Sequence, residues 1–167
     1  MASRPNGRLL TVLSLLLGVV SFPPWAVAAD ITGKRPFVVD GDTIELGGVR
    51  IRLFGIDAPA TEQTCRAAGK DWNCGQEARW AIANRIGRNW VVCRERARER
   101  GGAVVAVCYL GGIGGPELNG WLVEQGWALA ARSESPDYLD HEGRARRAGR
   151  GLWRGSFIAP WDWRAPQ

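Results

Sequence analysis

Short β-rich runs separated by glycine turns dominate the chain between residues 37 and 53. Phe37–Val39 and Thr43–Leu46 are rich in aromatic and β-branched residues, which favour strands. Gly47-Gly48 then marks a two-residue hairpin turn, and Val49–Leu53 alternates apolar and polar residues strictly. The alternation places the apolar residues of that strand on one face and Arg52 on the other. The pattern predicts three consecutive antiparallel strands.

Helical spacing of apolar residues takes over in the second half, interrupted by one more hairpin. That hairpin pairs Trp90–Cys93 with Val104–Tyr109 across an arginine-rich turn. The predicted helices are Gly75–Ile86, Pro116–Gln125 and a third from Ser135 to about Ala148, with Ser135 as N-cap and Pro136 as its first residue. Five short strands, one helix after the third and two trailing helices predict an α+β domain. Its expected core is a five-stranded β-barrel of the OB type with three helices.

The first 29 residues have the pattern of a secretory signal peptide. Arg4 and Arg8 precede an apolar run over Leu9–Val20, and small residues follow up to Ala29. An uncleaved membrane anchor is the alternative, but twelve apolar residues fall short of the roughly 20 that span a bilayer. We therefore expect export to the periplasm or the medium, no stable membrane span after cleavage, and a single domain over residues 30–167.

The net charge and the cysteines bear on the class of partner and on the disulfide pairing. Removing Arg4 and Arg8 from a net charge of +5 leaves +3, which permits a polyanionic partner without identifying one. The even number of cysteines in an exported chain predicts disulfides, whereas the absence of a C-x-x-C motif and the presence of one histidine argue against zinc. Of the three possible pairings we predict Cys65–Cys74, which closes a loop, and Cys93–Cys108, which bridges two adjacent strands.

Two carboxylates and a guanidinium stand close together in the strand-rich segment. Phosphodiester hydrolysis needs a cation, a base, positive donors for the developing charge and in-line geometry. Asp42 and Asp57 supply oxygen ligands of the kind that Ca²⁺ accepts, and Arg52 can clamp a phosphate bidentately. By sequence alone, Asp40 and Asp42 are also ordinary turn formers around Gly41, and Arg52 is also an ordinary polar-face residue.

Several segments, in this order, make the chain similar to the staphylococcal-nuclease-like (thermonuclease) family. The resemblance covers roughly residues 35–164. The segments that carry it are Val39–Thr43, Ile51–Pro59, Trp72–Gly75, Val104–Tyr109, Leu118–Ala130, Gly151–Trp153 and Pro160–Arg164. The family implies an OB barrel with three helices and a Ca²⁺-dependent, 5′-directed phosphodiesterase that acts on DNA and RNA.

The resemblance also implies roles for individual residues. Asp42, Asp57 and the backbone carbonyl of Ala58 match the metal ligands, and Arg52 matches the first phosphate-clamping arginine. A carbonyl ligand requires no particular side chain, so alanine at position 58 is compatible with that role. Asp40 then keeps a structural role.

Two positions depart from the family pattern. Ala60 stands where the family has its general-base glutamate, and Ala103 stands where it has the second clamping arginine. Loss of a positioned base costs about 10²–10⁴ in rate, and loss of a transition-state charge donor about 10²–10³. The sequence therefore predicts an impaired or inactive nuclease.

Three functional hypotheses follow. The first is a degenerate nuclease domain that binds Ca²⁺ weakly and acts as a binding module for nucleic acid, another phosphate-bearing ligand or a protein partner. The second is a Ca²⁺-dependent nuclease in which Glu62 and Arg98 or Arg100 compensate for the two alanines. The third is a structural envelope domain without a metal. Glu62 and the hairpin arginines are also ordinary solvated charges.

Overall fold

The computed structural model describes residues 29–165. The predicted signal peptide lies almost wholly outside these residues. Within the described part of the chain, no helix combines the length and apolar character that a membrane crossing requires.

Ten strands and four helices make up the described chain. The strands are β1 (Ile31–Lys34), β2 (Phe37–Val38), β3 (Thr43–Leu46), β4 (Val49–Leu53), β5 (Ile56–Asp57), β6 (Cys65–Ala67), β7 (Lys70–Trp72), β8 (Trp90–Arg98), β9 (Val104–Leu110) and β10 (Leu129–Ala130). The helices are α1 (Cys74–Ile86), α2 (Leu118–Glu124), α3 (Leu139–Arg147) and α4 (Pro160–Trp163), with a 3₁₀ turn at Gly151–Arg154.

Six strands form one mixed sheet in the order β1-β8-β9-β4-β3-β2. All neighbours are antiparallel except β4 and β9, which run parallel with Ile51 opposite Val104. Gly47 and Gly48 both have positive φ in the β3–β4 turn, which explains why this hairpin needs glycine there. Two small sheets, β5–β10 and β6–β7, complete the strand pairing.

The inward faces of the strands form the main core together with α1 and α2. Its fully buried members include Ile44, Ile51, Leu53, Ile82 and Leu122. Because Ile51 and Leu53 are the apolar positions of the alternating strand, Arg52 between them faces the cleft described below. The α+β class is confirmed, and the architecture is consistent with an OB-like fold.

The structure corrects the predicted element bounds. Alternation did not reveal β1 or the short strands β5, β6, β7 and β10, and β8 runs on to Arg98 rather than ending at Cys93. The third helix begins at Leu139 instead of Pro136, because Ser135 accepts a hydrogen bond from the amide of Asp137 in a separate turn. A fourth, four-residue helix, α4, follows it.

Both predicted disulfides are formed. Cys65 pairs with Cys74 at a Cα–Cα distance of 5.6 Å, joining β6 to the first residue of α1. Cys93 pairs with Cys108 at 4.1 Å, directly across the β8–β9 ladder. All four cysteines lie within residues 29–165, and none of them is free.

Candidate active-site cleft

Asp42 lies at the end of the turn that leads into β3, and its carboxylate is buried. The Asp40 side chain accepts a hydrogen bond from the Asp42 amide at 3.1 Å, which is the turn-forming role expected of Asp40. Asp42 Oδ1 accepts from the Thr43 hydroxyl at 2.9 Å, and Oδ2 accepts from the Ala58 amide at 2.7 Å. Burial first, and the Asp40 charge second, raise the pKa of Asp42 to about 8.

Gly41, between Asp40 and Asp42, is needed for close packing. A Cβ at Gly41 would lie 2.7 Å from the Cβ of Ala58 and 2.9 Å from that of Ala78 on α1. The absence of a side chain therefore lets this turn lie against both Ala58 and the helix. This contact brings the Asp42 carboxylate to the Ala58 amide, close enough to Asp57 for the Asp57 charge to contribute to the raised pKa of Asp42.

Asp57 is the second residue of the short strand β5, and it is joined to the carboxy-terminal segment. Arg164 donates from Nη2 to Asp57 Oδ1 and from Nη1 to the Ala58 carbonyl oxygen, the latter at 3.2 Å. Burial raises the pKa of Asp57, and the Arg164 hydrogen bond and charge oppose that rise. One guanidinium thus contacts two of the three groups that were expected to ligate a metal.

Arg52 is held by carboxylates on all three of its nitrogens. Its Nε donates to Glu99 Oε1 at 2.6 Å, and its Nη2 and Nη1 donate to the two oxygens of Glu134 at 2.6 and 3.3 Å. Glu134 also accepts from the Gly55 amide at 2.9 Å. Burial lowers the pKa of Arg52, but the hydrogen bonds to Glu134 and Glu99 outweigh it, so the net shift is upward. The guanidinium is therefore firmly cationic, and it is already paired.

Arg52, Asp57 and Arg164 line a cleft of about 900 Å³ between the sheet and the carboxy-terminal segment, and the buried Asp42 lies behind this lining. Four arginines and four carboxylates line it, so their formal charges cancel. They are Arg52, Arg132, Arg146 and Arg164 together with Asp57, Glu99, Glu134 and Glu142. Apolar and aromatic residues, among them Trp161, Trp153 and Phe157, form the rest of the lining.

The remaining predicted site residues lie elsewhere. Glu62 is exposed and is not among the described residues that line the cleft. Arg98 is paired with Glu95 at 2.7 Å, and Arg100 is exposed in the β8–β9 turn. Ala60 and Ala103 are half-buried turn residues whose carbonyls accept backbone hydrogen bonds.

Three cleft residues were missed by sequence reasoning. Glu99 and Glu134 come from the β8–β9 turn and the segment after β10, and Arg164 directly follows α4. Arg164 lies in the last segment of the family resemblance, which was the only sequence signal available for it. Nothing in the local sequence indicates that Glu134 or Glu99 belongs to the cleft. Each pairs with Arg52, which lies 82 residues from Glu134 and 47 residues from Glu99 in the chain.

The oxygen donors present are those that calcium prefers, but their arrangement is not that of a cation cage. Arg164 uses Asp57 and the Ala58 carbonyl, and both oxygens of Asp42 already accept hydrogen bonds. Among residues 29–165, no group of three or more His, Cys, Asp or Glu side chains is arranged to hold a metal. With Arg164 in place, these residues do not fit a bound Ca²⁺.

The mixed sheet and its acid- and arginine-lined cleft define a nuclease-like α+β domain. The family model described as "Staphylococcal nuclease homologue" matches residues 50–155. The chain belongs to this family.

Of three relatives that the chain resembles, two are named nucleases. The chain is 35% identical over 151 residues to the succinoglycan biosynthesis protein ExoI of Rhizobium meliloti (strain 1021), covering 86% of this chain and 75% of that protein. It is 30% identical over 162 residues to an uncharacterized endonuclease of Escherichia coli, covering 91% and 95%. A probable staphylococcal-like nuclease, CAN2, of Oryza sativa subsp. japonica is 28% identical over 141 residues, covering 83% of this chain and 35% of that protein.

Proposed function

We propose that this protein is an exported nuclease-fold module that binds single-stranded nucleic acid or another phosphate-bearing ligand and hydrolyses phosphodiesters poorly. The observation that carries the proposal is the pairing of Arg52. The one phosphate-clamping arginine that the chain retains has every nitrogen engaged by Glu99 or Glu134. A phosphate must compete with two carboxylates for it.

The positions of the missing catalytic groups support slow chemistry. Ala60 has no atom that can accept a proton from an attacking water, and Ala103 has none that can donate to the developing negative charge. Glu62 and Arg100, the residues proposed to compensate, are exposed and outside the cleft lining. A catalytic group that lies outside the cleft loses most of the benefit of being positioned at the reacting atoms.

The cleft retains features suited to binding. Trp161 and Phe157 offer aromatic faces on which bases can stack, and Arg146 lies over the Trp153 ring at 5.6 Å. Because the lining charges cancel, we expect weak binding with a shallow salt dependence. A protein partner at the same cleft is the other ligand class of this hypothesis.

Export and weak calcium binding belong to the proposal as well. Two disulfides are typical of chains that fold in an oxidising compartment, which supports the predicted signal peptide and a periplasmic or secreted location. Calcium-dependence is general in the family, and Asp42 and Asp57 retain the oxygen donors for it. The contacts of Arg164 favour weak affinity.

The test is digestion of single-stranded DNA by the purified protein, with Ca²⁺ and with a chelator. We expect near-background cleavage by the unmodified protein and a gain of at least tenfold in the double variant Ala60→Glu, Ala103→Arg. The matched control places the same two side chains at exposed alanines, Ala97→Glu with Ala148→Arg, and should gain nothing. No gain in the first variant, with its fold intact by circular dichroism, contradicts the proposal.

A working nuclease is the second candidate, favoured by the relatives named endonuclease and staphylococcal-like nuclease. It predicts family-like cleavage by the unmodified protein that is lost in Glu62→Gln or Arg100→Gln. A purely structural domain predicts neither cleavage nor a Ca²⁺-dependent shift in melting temperature nor oligonucleotide binding. Oligonucleotide binding without rapid cleavage separates our proposal from both.

A further inference from the structure

We infer that Arg164 is a built-in cation that takes the place a divalent metal would need, so that the carboxy-terminal segment sets the metal affinity of the cleft. The location of the site rests on the proposed function. The inference itself concerns metal binding, which is measured independently of hydrolysis.

The guanidinium contacts the two expected ligands at once. One terminal nitrogen donates to the Asp57 carboxylate and the other to the Ala58 carbonyl oxygen. A planar guanidinium fork suits two neighbouring oxygen acceptors. A calcium ion takes six to eight oxygens, and a guanidinium on these two acceptors both competes for them and repels the ion.

The third expected ligand, Asp42, is not enough by itself to hold the ion. Asp42 is buried, and each of its oxygens already accepts a hydrogen bond, one from the Thr43 hydroxyl and one from the Ala58 amide. A divalent ion that uses Asp42 must therefore still compete with Arg164 for Asp57 and for the Ala58 carbonyl. Displacement costs the hydrogen bonds of the guanidinium to Asp57 and to the Ala58 carbonyl.

Arg164 is held in position by the fold around it. Gln63, which is fully buried, donates from Nε2 to the Ile158 carbonyl at 2.8 Å and ties the segment before α4 to the turn that follows Asp57. Pro160 is buried at the start of α4, and the Arg164 amide donates to its carbonyl at 3.2 Å. The guanidinium is thus presented at high effective concentration to the acceptors.

Calorimetric titration with CaCl₂ tests the inference on the purified full-length protein. We expect Arg164→Gln to bind Ca²⁺ at least tenfold more tightly than the unmodified protein and to gain melting temperature on adding Ca²⁺. Arg164→Lys, which keeps the positive charge, should stay close to the unmodified protein. Arg147→Gln removes an exposed arginine that does not line the cleft and serves as the charge-matched control.

Equal Ca²⁺ affinity in the unmodified protein and Arg164→Gln overturns the inference, as does a folded Arg164→Gln that binds no Ca²⁺. If the variant fails to fold, ¹⁵N NMR of the arginine side chains in the unmodified protein decides. Saturating Ca²⁺ must then shift the Arg164 resonances, and binding without such a shift refutes the inference. Rapid DNA cleavage by the unmodified protein would refute the proposed function and leave this result standing.

Discussion

Removing the charge of Glu134 should strengthen anion binding, because this carboxylate pairs with two nitrogens of Arg52. Glu134→Gln keeps the side-chain shape, and its amide oxygen can still accept from the Gly55 amide. The change removes one negative charge from a cleft whose four arginines and four carboxylates balance. The cleft therefore gains a net charge of +1 by that count. The Nη2 donor of Arg52, which would face the new NH₂ group, becomes available to a phosphate.

The size of the effect follows from distance and exposure. The Arg52 and Glu134 side chains are 25% and 30% exposed, so water screens their interaction substantially. A unit charge several ångströms from a bound phosphate in such surroundings contributes about 1 kcal/mol, which is about fivefold in affinity. Losing part of the ion pair should cost about 1 kcal/mol of unfolding free energy, or roughly 4 °C in melting temperature.

The assay is fluorescence anisotropy of a labelled oligothymidine in the presence of a chelator, at low and at physiological ionic strength. Glu134→Gln should bind more tightly and with a steeper salt dependence than the unmodified protein. Glu45→Gln, on β3 outside the cleft, makes the same change in total charge and should change affinity little. The reasoning fails if Glu134→Gln binds no more tightly, or if its gain survives when Arg52→Gln is added.

Two stability predictions follow from the same region. The pKa of Asp42 is 3.8 in the unfolded chain and about 8 in the folded chain, so between these pH values only the folded chain holds the proton. The stability that this group contributes is therefore present near pH 4 and is lost as the pH rises toward 8. In the presence of a chelator, Asp42→Asn should therefore melt at a higher temperature than the unmodified protein at pH 8 and at nearly the same temperature at pH 4. A lower melting temperature of the variant at pH 8 contradicts this prediction. A Cβ at Gly75 would lie 1.7 Å from the Ala60 carbonyl oxygen, so Gly75→Ala should cost about 2–3 kcal/mol in urea denaturation. Gly101→Ala, with no atom within 4 Å of the new Cβ, should cost far less, and equal losses would refute the packing argument.

Five of the six strands in the main sheet, β2, β3, β4, β8 and β9, were predictable because their sequence signals are local. Strict alternation identified Val49–Leu53, and the adjacent double glycine fixed the hairpin. The disulfide Cys93–Cys108 followed from the adjacency of two predicted strands. The two-residue strands β5 and β10 were not predictable, since two residues carry no periodicity and their pairing depends on tertiary contacts.

The residues of the candidate site also differ in how far the sequence predicts them. Asp42, Arg52 and Asp57 lie within one short stretch of sequence, and a motif identified all three. Glu134 and Arg164 are single charges in polar segments, and only the folded chain brings them to these residues. The motif identifies the residues that can bind a ligand. The residues that pair with them in the folded chain, Glu134 and Arg164, come from distant parts of the sequence.

The parallel pairing of β4 with β9 has a consequence for how the chain reaches its folded state. Ile51 lies opposite Val104, so the inner edge of the β3–β4 hairpin stays unprotected until more than fifty further residues are available. An exposed strand edge of this kind recruits other chains, and distant pairing is slow to form. Fragments that end before Val104 should accumulate as aggregates during biosynthesis, whereas those that include β9 can bury the edge.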